Sequence, residues 1–282
     1  MNLTSLFTRK KQQVPDAISR TATVRPSGGK ALVYEVANLQ GIGNRARQED
    51  AFAFGNALDH EAISERGLLI AVADGMGGMQ GGKIASETAV SSVLRSFQDF
   101  DMKKSIPDQL NNAVLEASGQ VYEKLHEAGG STMTVGLIFG EKLWFSSVGD
   151  SFLFLLRNRR LTRMNRSHNI RNRDYLDAIL MGTIDAETAE QDPERRAVTQ
   201  FLGMEELEEA DFLRRPLKLE PGDVLLFCSD GVGEVLDESE LTQCLSHGDP
   251  GEMCEAMSRE IKAKNLKLQD NYTALVVQCR RE

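Results

Sequence analysis

The segment LLIAVADGMGG, residues 68–78, places a carboxylate directly after six apolar residues. The run Leu68–Ala73 contains no polar side chain, which is typical of a fully buried strand. Asp74 then opens a glycine-rich turn. A charged carboxylate at the end of a buried strand is costly unless a cation or hydrogen bonds compensate it. Asp-Gly is also a common turn pair, so this segment alone leaves both a plain turn and a ligand site open.

Three further segments combine an apolar run with acidic residues at one end of it. The segments are RQEDAFAF (47–54), DVLLFCSDG (223–231) and QDNYTALVV (269–277). Their polar end residues are Glu49, Asp50, Asp230, Asp270 and Asn271. Strand ends can converge at one end of a pair of sheets, and hard oxygen ligands suit Mg²⁺ or Mn²⁺. The repetition therefore favours a metal site over four unrelated turns.

The composition of the 282 residues is that of an ordinary globular protein, with 41% hydrophobic and 27% charged side chains. The net charge of −9 argues against a nucleic-acid partner. No apolar run approaches the roughly 20 residues that cross a bilayer, and no signal-like segment is found, so we expect a cytoplasmic protein. The four cysteines lack metal-type spacing, and we expect them to be buried reduced thiols.

The first thirty residues differ in charge from the rest of the chain. Residues 1–30 carry six basic side chains and one acidic side chain. We interpret 1–30 as a flexible basic tail, either without function or with a docking or regulatory role, and 31–282 as one domain. The basic segment RNRRLTR, 157–163, could suggest nucleic-acid binding or line the phosphopeptide side of a cleft, but we expect it to face solvent.

Hydrophobic periodicity predicts hairpins and paired helices, which indicates an α+β fold rather than alternating βαβ units. The predicted helices cover 81–100, 107–129, 172–181, 185–191, 238–246 and 250–264. The predicted strands cover 30–41, 49–55, 67–73, 131–139, 142–148, 151–157, 160–164, 223–229 and 272–279. The polar region 165–215 is predicted to be a mobile surface flap.

Six motifs in order carry a family resemblance. They are RARQED, VADGMGG, GGSTMTVG, SVGDS, FCSDG and QDNYTALVV. In this order and spacing, from about residue 33 to 279, the chain resembles the bacterial form of the type 2C metal-dependent Ser/Thr protein phosphatases. The resemblance implies an α-β-β-α sandwich of two antiparallel sheets flanked by helix pairs, with a metal site in a cleft at one end.

The resemblance also implies two divalent cations, Mn²⁺ or Mg²⁺, bridged by Asp74. Their other implied ligands are the Gly75 carbonyl, Asp230 and Asp270 for one cation, and Asp50 and Glu49 for the other. Two such cations lower the pKa of a bridging water, and the resulting hydroxide would attack phosphorus directly.

The remaining implied roles belong to residues around the metals. Arg45 takes the place of the phosphate-binding arginine, since a guanidinium can hold two phosphate oxygens, and Arg47 is interpreted as a surface residue. Asn271 is expected to support the metal ligands from behind. Asp150 is expected to cap a hairpin turn and to support the same site.

Three positions depart from the family pattern. Met76 stands where many members have a histidine, so it cannot protonate the leaving group. Phe152 stands where an arginine is usual, which puts the support of the cleft in question. A third metal would need Glu127, the only carboxylate before the GST motif, although an exposed residue at a helix end is the better interpretation of Glu127.

The predicted function is metal-dependent hydrolysis of phosphoserine and phosphothreonine in proteins. The expected partners are phosphorylated proteins, including a Ser/Thr kinase and its substrates, and the expected state is a monomer. One alternative is a pseudophosphatase, a catalytically weak or inactive module that binds phosphoproteins. Another is a dedicated regulatory phosphatase acting on one phosphoserine anti-sigma antagonist, with 1–30 as its only candidate sensor element.

Overall fold

The computed structural model describes residues 16–25, 32–77, 81–170, 176–183, 185–191, 194, 197–208 and 210–281. These residues form β-strands and α-helices with the following bounds. The strands are β1 (Ala17–Ile18), β2 (Ala22–Val24), β3 (Val33–Gly41), β4 (Ala51–Gly55), β5 (Leu68–Ala73), β6 (Gly75–Met76), β7 (Gly130–Ser131), β8 (Met133–Phe139), β9 (Lys142–Val148), β10 (Phe152–Arg157), β11 (Arg160–Arg163), β12 (Asp211–Phe212), β13 (Leu217–Lys218), β14 (Val224–Cys228) and β15 (Tyr272–Arg280). The helices are α1 (His60–Arg66), α2 (Gly81–Gln98), α3 (Ile106–Leu125), α4 (Leu176–Leu180), α5 (Ala186–Gln191), α6 (Asp230–Gly233), α7 (Glu238–Leu245) and α8 (Pro250–Lys264).

Two antiparallel sheets form the centre of the fold. Sheet I runs in the order β1, β3, β15, β14, β10, β11, with β2 also paired to β3. Sheet II runs in the order β12, β9, β8, β5, β4, with β13 also paired to β9. A separate short pair joins β6 to β7. This arrangement, with helices on the outer faces, confirms the predicted α-β-β-α sandwich.

The apolar run of β5 is explained by the layers on its two faces. Leu68, Ile70 and Val72 belong to the core between the sheets, together with Phe227 and Leu275 of sheet I. The alternate residues of β5 pack against α2 and α3 on the outer face of sheet II. Because successive side chains point to opposite faces, a strand covered on both sides must be apolar throughout. All six residues of β5 are 0% exposed.

Helices α7 and α8 cover the outer face of sheet I. Met253 and Met257 of α8 pack with Leu226 of β14 and Val276 of β15. A capping box at Asp249 begins α8, because its carboxylate accepts from the backbone N–H of the third helical residue. The four cysteines are free and buried, which confirms the prediction of structural thiols.

The long regular elements were predicted better than the short ones. The predictions 142–148 and 250–264 match β9 and α8. The predicted strand 131–139 is interrupted at Thr132, because β7 pairs with β6 whereas β8 pairs with β5 and β9. Helix α1 and strands β12 and β13 were not predicted, since two to seven residues carry too little periodicity to be recognised.

The N-terminal segment requires a correction. Within the predicted flexible tail 1–30, strands β1 and β2 pair with the outer edge of β3, so flexibility is the wrong description of 16–25. Strands of two and three residues are too short to show alternation, which is why they were missed. The other positions of this predicted tail, 1–15 and 26–30, lie outside the described residues.

The predicted flap, 165–215, has described segments at both ends. Asn169 bridges to Val198, and Leu202 bridges to Ser131 beside β6. Strand β12 adds to the edge of β9. These pairings tie the ends of the flap to sheet II and to the β6–β7 pair, whereas the mobility of the flap stays a prediction. Of the helices in the described ranges, none has the length and apolarity that a bilayer crossing needs.

Candidate active site

The strand registers bring the predicted acidic residues to one end of the sandwich. In sheet II, Ala51 pairs with Ala73, so Asp50 and Asp74 leave neighbouring strands at the same end. In sheet I, Cys228 of β14 pairs with Ala274 of β15. The ends that carry Asp230 and Asp270 are therefore adjacent as well, so both sheets bring acidic residues to this end of the sandwich, here called the cleft.

Two further segments reach this end of sheet I. Tyr272 pairs with Gly41, which places the loop 42–49 beside Asp270. Phe152 pairs with Cys228, which places Asp150 next to the end of β14. The register thus accounts for every strand end that the sequence pattern singled out.

Asp50, Asp74 and Asp230, here called the carboxylate cluster, repel one another in a dehydrated setting. Asp50 is 6% exposed, and burial together with the charges of Asp230 and Asp270 raises its pKa to about 7. Burial and the charges of Asp50 and Asp230 raise the pKa of Asp74 well above its ordinary value. Burial also raises the pKa of Asp230, and the charge of Asp270 adds to the effect. The cluster carries more negative charge than its surroundings neutralise.

Hydroxyl groups hold one side of Asp50 in place. Ser229 Oγ donates to Asp50 Oδ2 at 2.9 Å, and the Thr273 side chain also bonds to this carboxylate. Ser229 Oγ in turn accepts from the backbone N–H of Thr273 at 3.0 Å. By contrast, the buried Oδ1 atoms of Asp50 and Asp230 have no hydrogen-bond partner within the described part of the chain. These two oxygen atoms are therefore buried without the compensation that a carboxylate needs.

Asp74 and Gly75 are fixed through their backbone. The Asp74 N–H donates to Thr132 Oγ1 at 2.9 Å, and Ser131 Oγ donates to the Asp74 carbonyl at 3.0 Å. A Cβ atom at Gly75 would lie 2.1 Å from the carbonyl oxygen of Gly82. Only glycine allows the first turn of α2 to approach the end of β5 this closely.

The rim of the cleft carries an ion pair. Arg45 donates to Asp270, and the two side chains are 59% and 36% exposed. This hydrogen bond and the charges of Asp270, Asp230 and Glu49 raise the pKa of Arg45. The predicted phosphate-binding arginine and a predicted metal ligand are thus direct partners in the structure.

Asn271 connects the rim loop to β15. Its Nδ2 donates to the carbonyls of Ile42 and Arg47, both at 2.9 Å, and its Oδ1 accepts from the Glu49 N–H at 2.8 Å. Three hydrogen bonds from one amide fix both ends of the loop that carries Arg45. The role of Asn271 as a support for metal ligands stays a prediction, and Glu49 is bonded to Asn271 through its backbone N–H.

Asp150 lies behind the carboxylate cluster. It is 8% exposed, and burial together with the charges of Asp230 and Glu234 raises its pKa to about 7, against the opposing charge of Arg163. The turn before it has Gly149 at φ +94°, and the Gly149 N–H donates to His168 Nδ1 at 3.1 Å. The base of the flap is therefore bonded to the turn that carries Asp150.

Phe152 has a packing role that the sequence did not reveal. It is buried and stacks on Phe154 with ring centroids 5.4 Å apart. A Cβ at Gly233 would lie 2.4 Å from its ring, so Phe152 packs directly under the short helix that begins at Asp230. The Arg163 guanidinium lies 4.0 Å above the Phe152 ring, close enough for a cation–π contact.

The structure does not bring Glu127 into the cluster. Glu127 has φ +65°, and its Oε1 accepts from the Glu205 N–H at 3.3 Å, so it contacts the end of the flap instead. Met76 lies in β6, opposite Gly130. Glu127 is not among the charged groups that contribute most to the raised pKa values of Asp50, Asp74 and Asp230.

Four hydroxyl residues were missed by the sequence analysis. They are Ser131, Thr132, Ser229 and Thr273. Ser229 and Thr273 stand within three residues of a predicted acidic ligand, in CSDG and DNYT. A hydroxyl residue close in sequence to a predicted acidic ligand was the signal that could have revealed them, since buried carboxylates need hydrogen-bond donors.

The donor set fits divalent cations chemically. Across the described ranges, no three or more His, Cys, Asp or Glu side chains are already arranged so that they could together hold an ion. The fit is instead one of chemistry, because the cluster offers only carboxylate oxygens, and two of these are buried without a hydrogen-bond partner among the described residues. Hard cations such as Mn²⁺ and Mg²⁺ prefer such ligands.

A family model described as Protein phosphatase 2C matches residues 42–269 of this chain. The chain belongs to the protein phosphatase 2C family. Among curated relatives, Protein phosphatase PhpP of Streptococcus pneumoniae is 27% identical over 257 residues, which cover 88% of this chain and 98% of PhpP. Serine/threonine phosphatase stp of Listeria monocytogenes is 28% identical over 222 residues, which cover 74% of this chain and 84% of that protein.

Solved structures support the same fold for this protein phosphatase 2C. The catalytic domain of the serine threonine protein phosphatase PstP, solved in complex with 2 manganese ions, superposes with a TM-score of 0.70. It is 23% identical, and the match covers 88% of this chain and 99% of that one. The sandwich and its cleft are therefore those of the family.

Proposed function

We propose that this member of the protein phosphatase 2C family is a metal-dependent phosphatase that hydrolyses phosphoserine and phosphothreonine in proteins. The observation that carries the proposal is the carboxylate cluster. Three acidic side chains from both sheets meet with raised pKa values, and two of their oxygen atoms have no hydrogen-bond partner among the described residues. The name of the Listeria monocytogenes relative supports serine and threonine as the phosphorylated residues.

Asp50, Asp74 and Asp230 would hold two divalent cations, with Asp270, Glu49 and the Gly75 carbonyl at the edge. When bound, such cations supply Lewis acidity and lower the pKa of water, so that direct attack on phosphorus needs no covalent phosphoenzyme. The manganese in the PstP structure agrees with this choice of metal. A third cation near Glu127 stays a proposal with less support, because Glu127 contacts the flap.

Arg45 is placed to bind the phosphate. It is exposed at the rim, and a guanidinium can donate two parallel hydrogen bonds to phosphate oxygens. Its bond to Asp270 holds the side chain over the cleft before a substrate arrives. A phosphate would exchange with, or share, this carboxylate partner.

The thiols are unsuited to act as nucleophiles. Burial raises the pKa of each cysteine, to about 11 for Cys244 and to about 12 for Cys254, so little thiolate forms at neutral pH. Cys228 lies closest in sequence to Asp230, but it is fully buried and its pKa is raised further. The raised pKa values of these thiols therefore argue against covalent catalysis by cysteine.

We further propose phosphoproteins as substrates, among them a Ser/Thr kinase and its targets, with the protein acting in the cytoplasm. The four unpaired cysteines support a reducing compartment. The domain is proposed to span 31–282, with 16–25 added to its sheet. The pseudophosphatase alternative is not favoured, because every predicted acidic ligand is present and the relatives are named phosphatases.

The test is hydrolysis of a phosphothreonine peptide by the purified full chain with Mn²⁺, with Mg²⁺ and with EDTA. We expect metal-dependent turnover that EDTA abolishes. Asp230→Asn should abolish it as well, because one negative ligand is lost, whereas Asp108→Asn on the exposed face of α3 should retain it. Folded protein that binds Mn²⁺ but gives no turnover would contradict the enzyme and support the binding module.

A further inference from the structure

The N-terminal segment is anchored to α8 at two separate points. At one, Thr21 Oγ1 donates to Asp249 Oδ1 at 2.6 Å and accepts from the Gly251 N–H at 2.9 Å. At the other, Asp16 accepts hydrogen bonds from Ser258 of α8 and from Tyr272 of β15. The two anchors thus contact different parts of α8, because Asp249 precedes its first residue and Ser258 lies near its middle.

Asp16 is the more deeply placed anchor. Its side chain is 5% exposed and pairs with Lys262 Nζ at 2.8 Å. Tyr272 OH donates to Asp16 Oδ1 at 2.7 Å, and Ser258 Oγ donates to Asp16 Oδ2. A buried carboxylate with three donors is held in one orientation, since each of its oxygens is bound.

Tyr272 extends from this anchor to the active-site loops. It is the first residue of β15 and directly follows Asp270 and Asn271 in the sequence. A Cβ at Gly41 would lie only 2.1 Å from its ring. Gly43, with φ +58°, approaches the Asp270 carbonyl so closely that a Cβ there would lie 2.2 Å from it. The Asn44 N–H donates to the Gln269 carbonyl at 2.8 Å. The loops 41–45 and 269–271 therefore rest on each other and on the Tyr272 ring.

A small cavity shows that the anchor and the loops are neighbours. Its volume is about 80 Å³. Asp16 and Tyr272 line one part of it, and Ile42, Asn44 and Gln269 line the rest. A shift of Tyr272 would therefore be transmitted to the loop of Arg45 without an intervening layer of protein.

We propose that Asp16 is a positioning residue of the active site. It fixes the hydroxyl of Tyr272, and Tyr272 fixes the two loops that present Arg45 and Asp270 at the rim. The inference rests on the proposed function, in which Arg45 binds phosphate and Asp270 completes a metal site. The N-terminal segment then belongs to the active-site structure rather than to a tail.

The experiment compares Asp16→Ala with Thr21→Val in the purified full chain. Both variants remove a polar anchor between the same segment and α8, but only Asp16 contacts Tyr272. The readouts are the Mn²⁺ dissociation constant by calorimetry and the KM and kcat for a phosphothreonine peptide. Asp16→Ala removes the acceptor of the Tyr272 hydroxyl and should raise the dissociation constant and KM about 10-fold, as loss of a supporting hydrogen bond does at metal sites. Thr21→Val should lower the melting temperature and leave both constants unchanged.

Tyr272→Phe provides a second route if Asp16→Ala does not fold. It removes only the hydroxyl and keeps the ring, and its effects should match those of Asp16→Ala. Equal shifts in Thr21→Val, or no shift in Asp16→Ala or Tyr272→Phe, would overturn the proposal. Wild-type protein that binds Mn²⁺ without turnover would contradict the phosphatase function alone, because the dissociation constants would still decide the role of Asp16. Wild-type protein that does not bind Mn²⁺ would contradict both.

Discussion

The inner and outer carboxylates of the cleft differ in how their charge is balanced. The inner group, Asp50, Asp74 and Asp230, has raised pKa values, and the described part of the chain offers no hydrogen-bond partner to Oδ1 of Asp50 or of Asp230. At the rim, Asp270 is more than one third exposed and is paired with Arg45. Among the described residues, aspartates of the inner group thus have no ion-pair partner for their charge, whereas the aspartate at the rim has one.

This difference separates two tasks of one site. Burying like charges costs folding free energy, and such a cost is retained where a cation is to be bound. An exposed ion pair contributes little stability and exchanges partners readily, which suits a group that must bind and release phosphate. Under the proposed function, the inner group would hold the metal and the rim would bind the substrate.

The largest effect is expected when one carboxylate of the inner group is neutralised. In Asp50→Asn the amide keeps the shape, and its Nδ2 can donate toward the neighbouring carboxylates. We expect turnover to fall to the level of EDTA-treated wild type, while the melting temperature in EDTA rises because an uncompensated buried charge is removed. A peptide assay and thermal unfolding in EDTA measure the two effects. A variant that is both active and less stable would show that Asp50 is not a metal ligand.

A substitution at the rim is expected to lower the catalytic efficiency without lowering the metal affinity. Arg45→Ala should lower kcat/KM for a phosphothreonine peptide about 100-fold, comparable to removal of one donor from a charge-stabilising site. Mn²⁺ affinity should not fall, because Arg45 opposes cation binding. The matched control is Arg47→Ala in the same loop, expected to change kcat/KM only slightly. Equal losses in the two variants would mean that the loop, rather than Arg45, is responsible.

The smallest expected effect is a pH dependence of stability in EDTA. Burial raises the pKa of Asp50 and of Asp150 to about 7. An unfolded aspartate has a pKa of about 4, so between pH 4 and pH 7 the folded chain binds more protons, and the free energy of unfolding falls as pH rises.

This pH dependence is measured by thermal unfolding in EDTA at pH 6 and pH 8. The melting temperature should be lower at pH 8, and Asp50→Asn should reduce the difference. Added Mn²⁺ should also reduce it, because the cation takes the place of the proton. A melting temperature that rises from pH 6 to pH 8 in EDTA would contradict the pKa assignment.

The position of the inner acids at strand ends could be predicted from the sequence, because the signal was local. A continuous apolar run followed by Asp74 identifies both the buried strand and the acid at its end. The registers of β5 and β14, which bring the acids together, could not be predicted, because both strands are apolar throughout and show no alternation between two faces.

The support of the site could not be predicted in the same way. Asp16 lies in a basic, weakly periodic segment, and its partners Ser258 and Tyr272 are more than 240 residues away in sequence. Ser229 was similarly hidden, because a serine beside an aspartate also occurs in ordinary turns. Long-range polar contacts of this kind have no periodicity to reveal them.

The place of β15 in sheet I has a consequence for how the chain folds. It lies between β3 and β14, and its pairing joins Tyr272 to Gly41, two residues separated by 231 positions (272 − 41). During synthesis, the edge of β3 that pairs with β15 therefore stays unpaired until most of the domain has left the ribosome. Long-range pairing of this kind slows folding and leaves an open strand edge that invites aggregation. The active site, which needs Asp270 at the start of β15, is completed in that same late step.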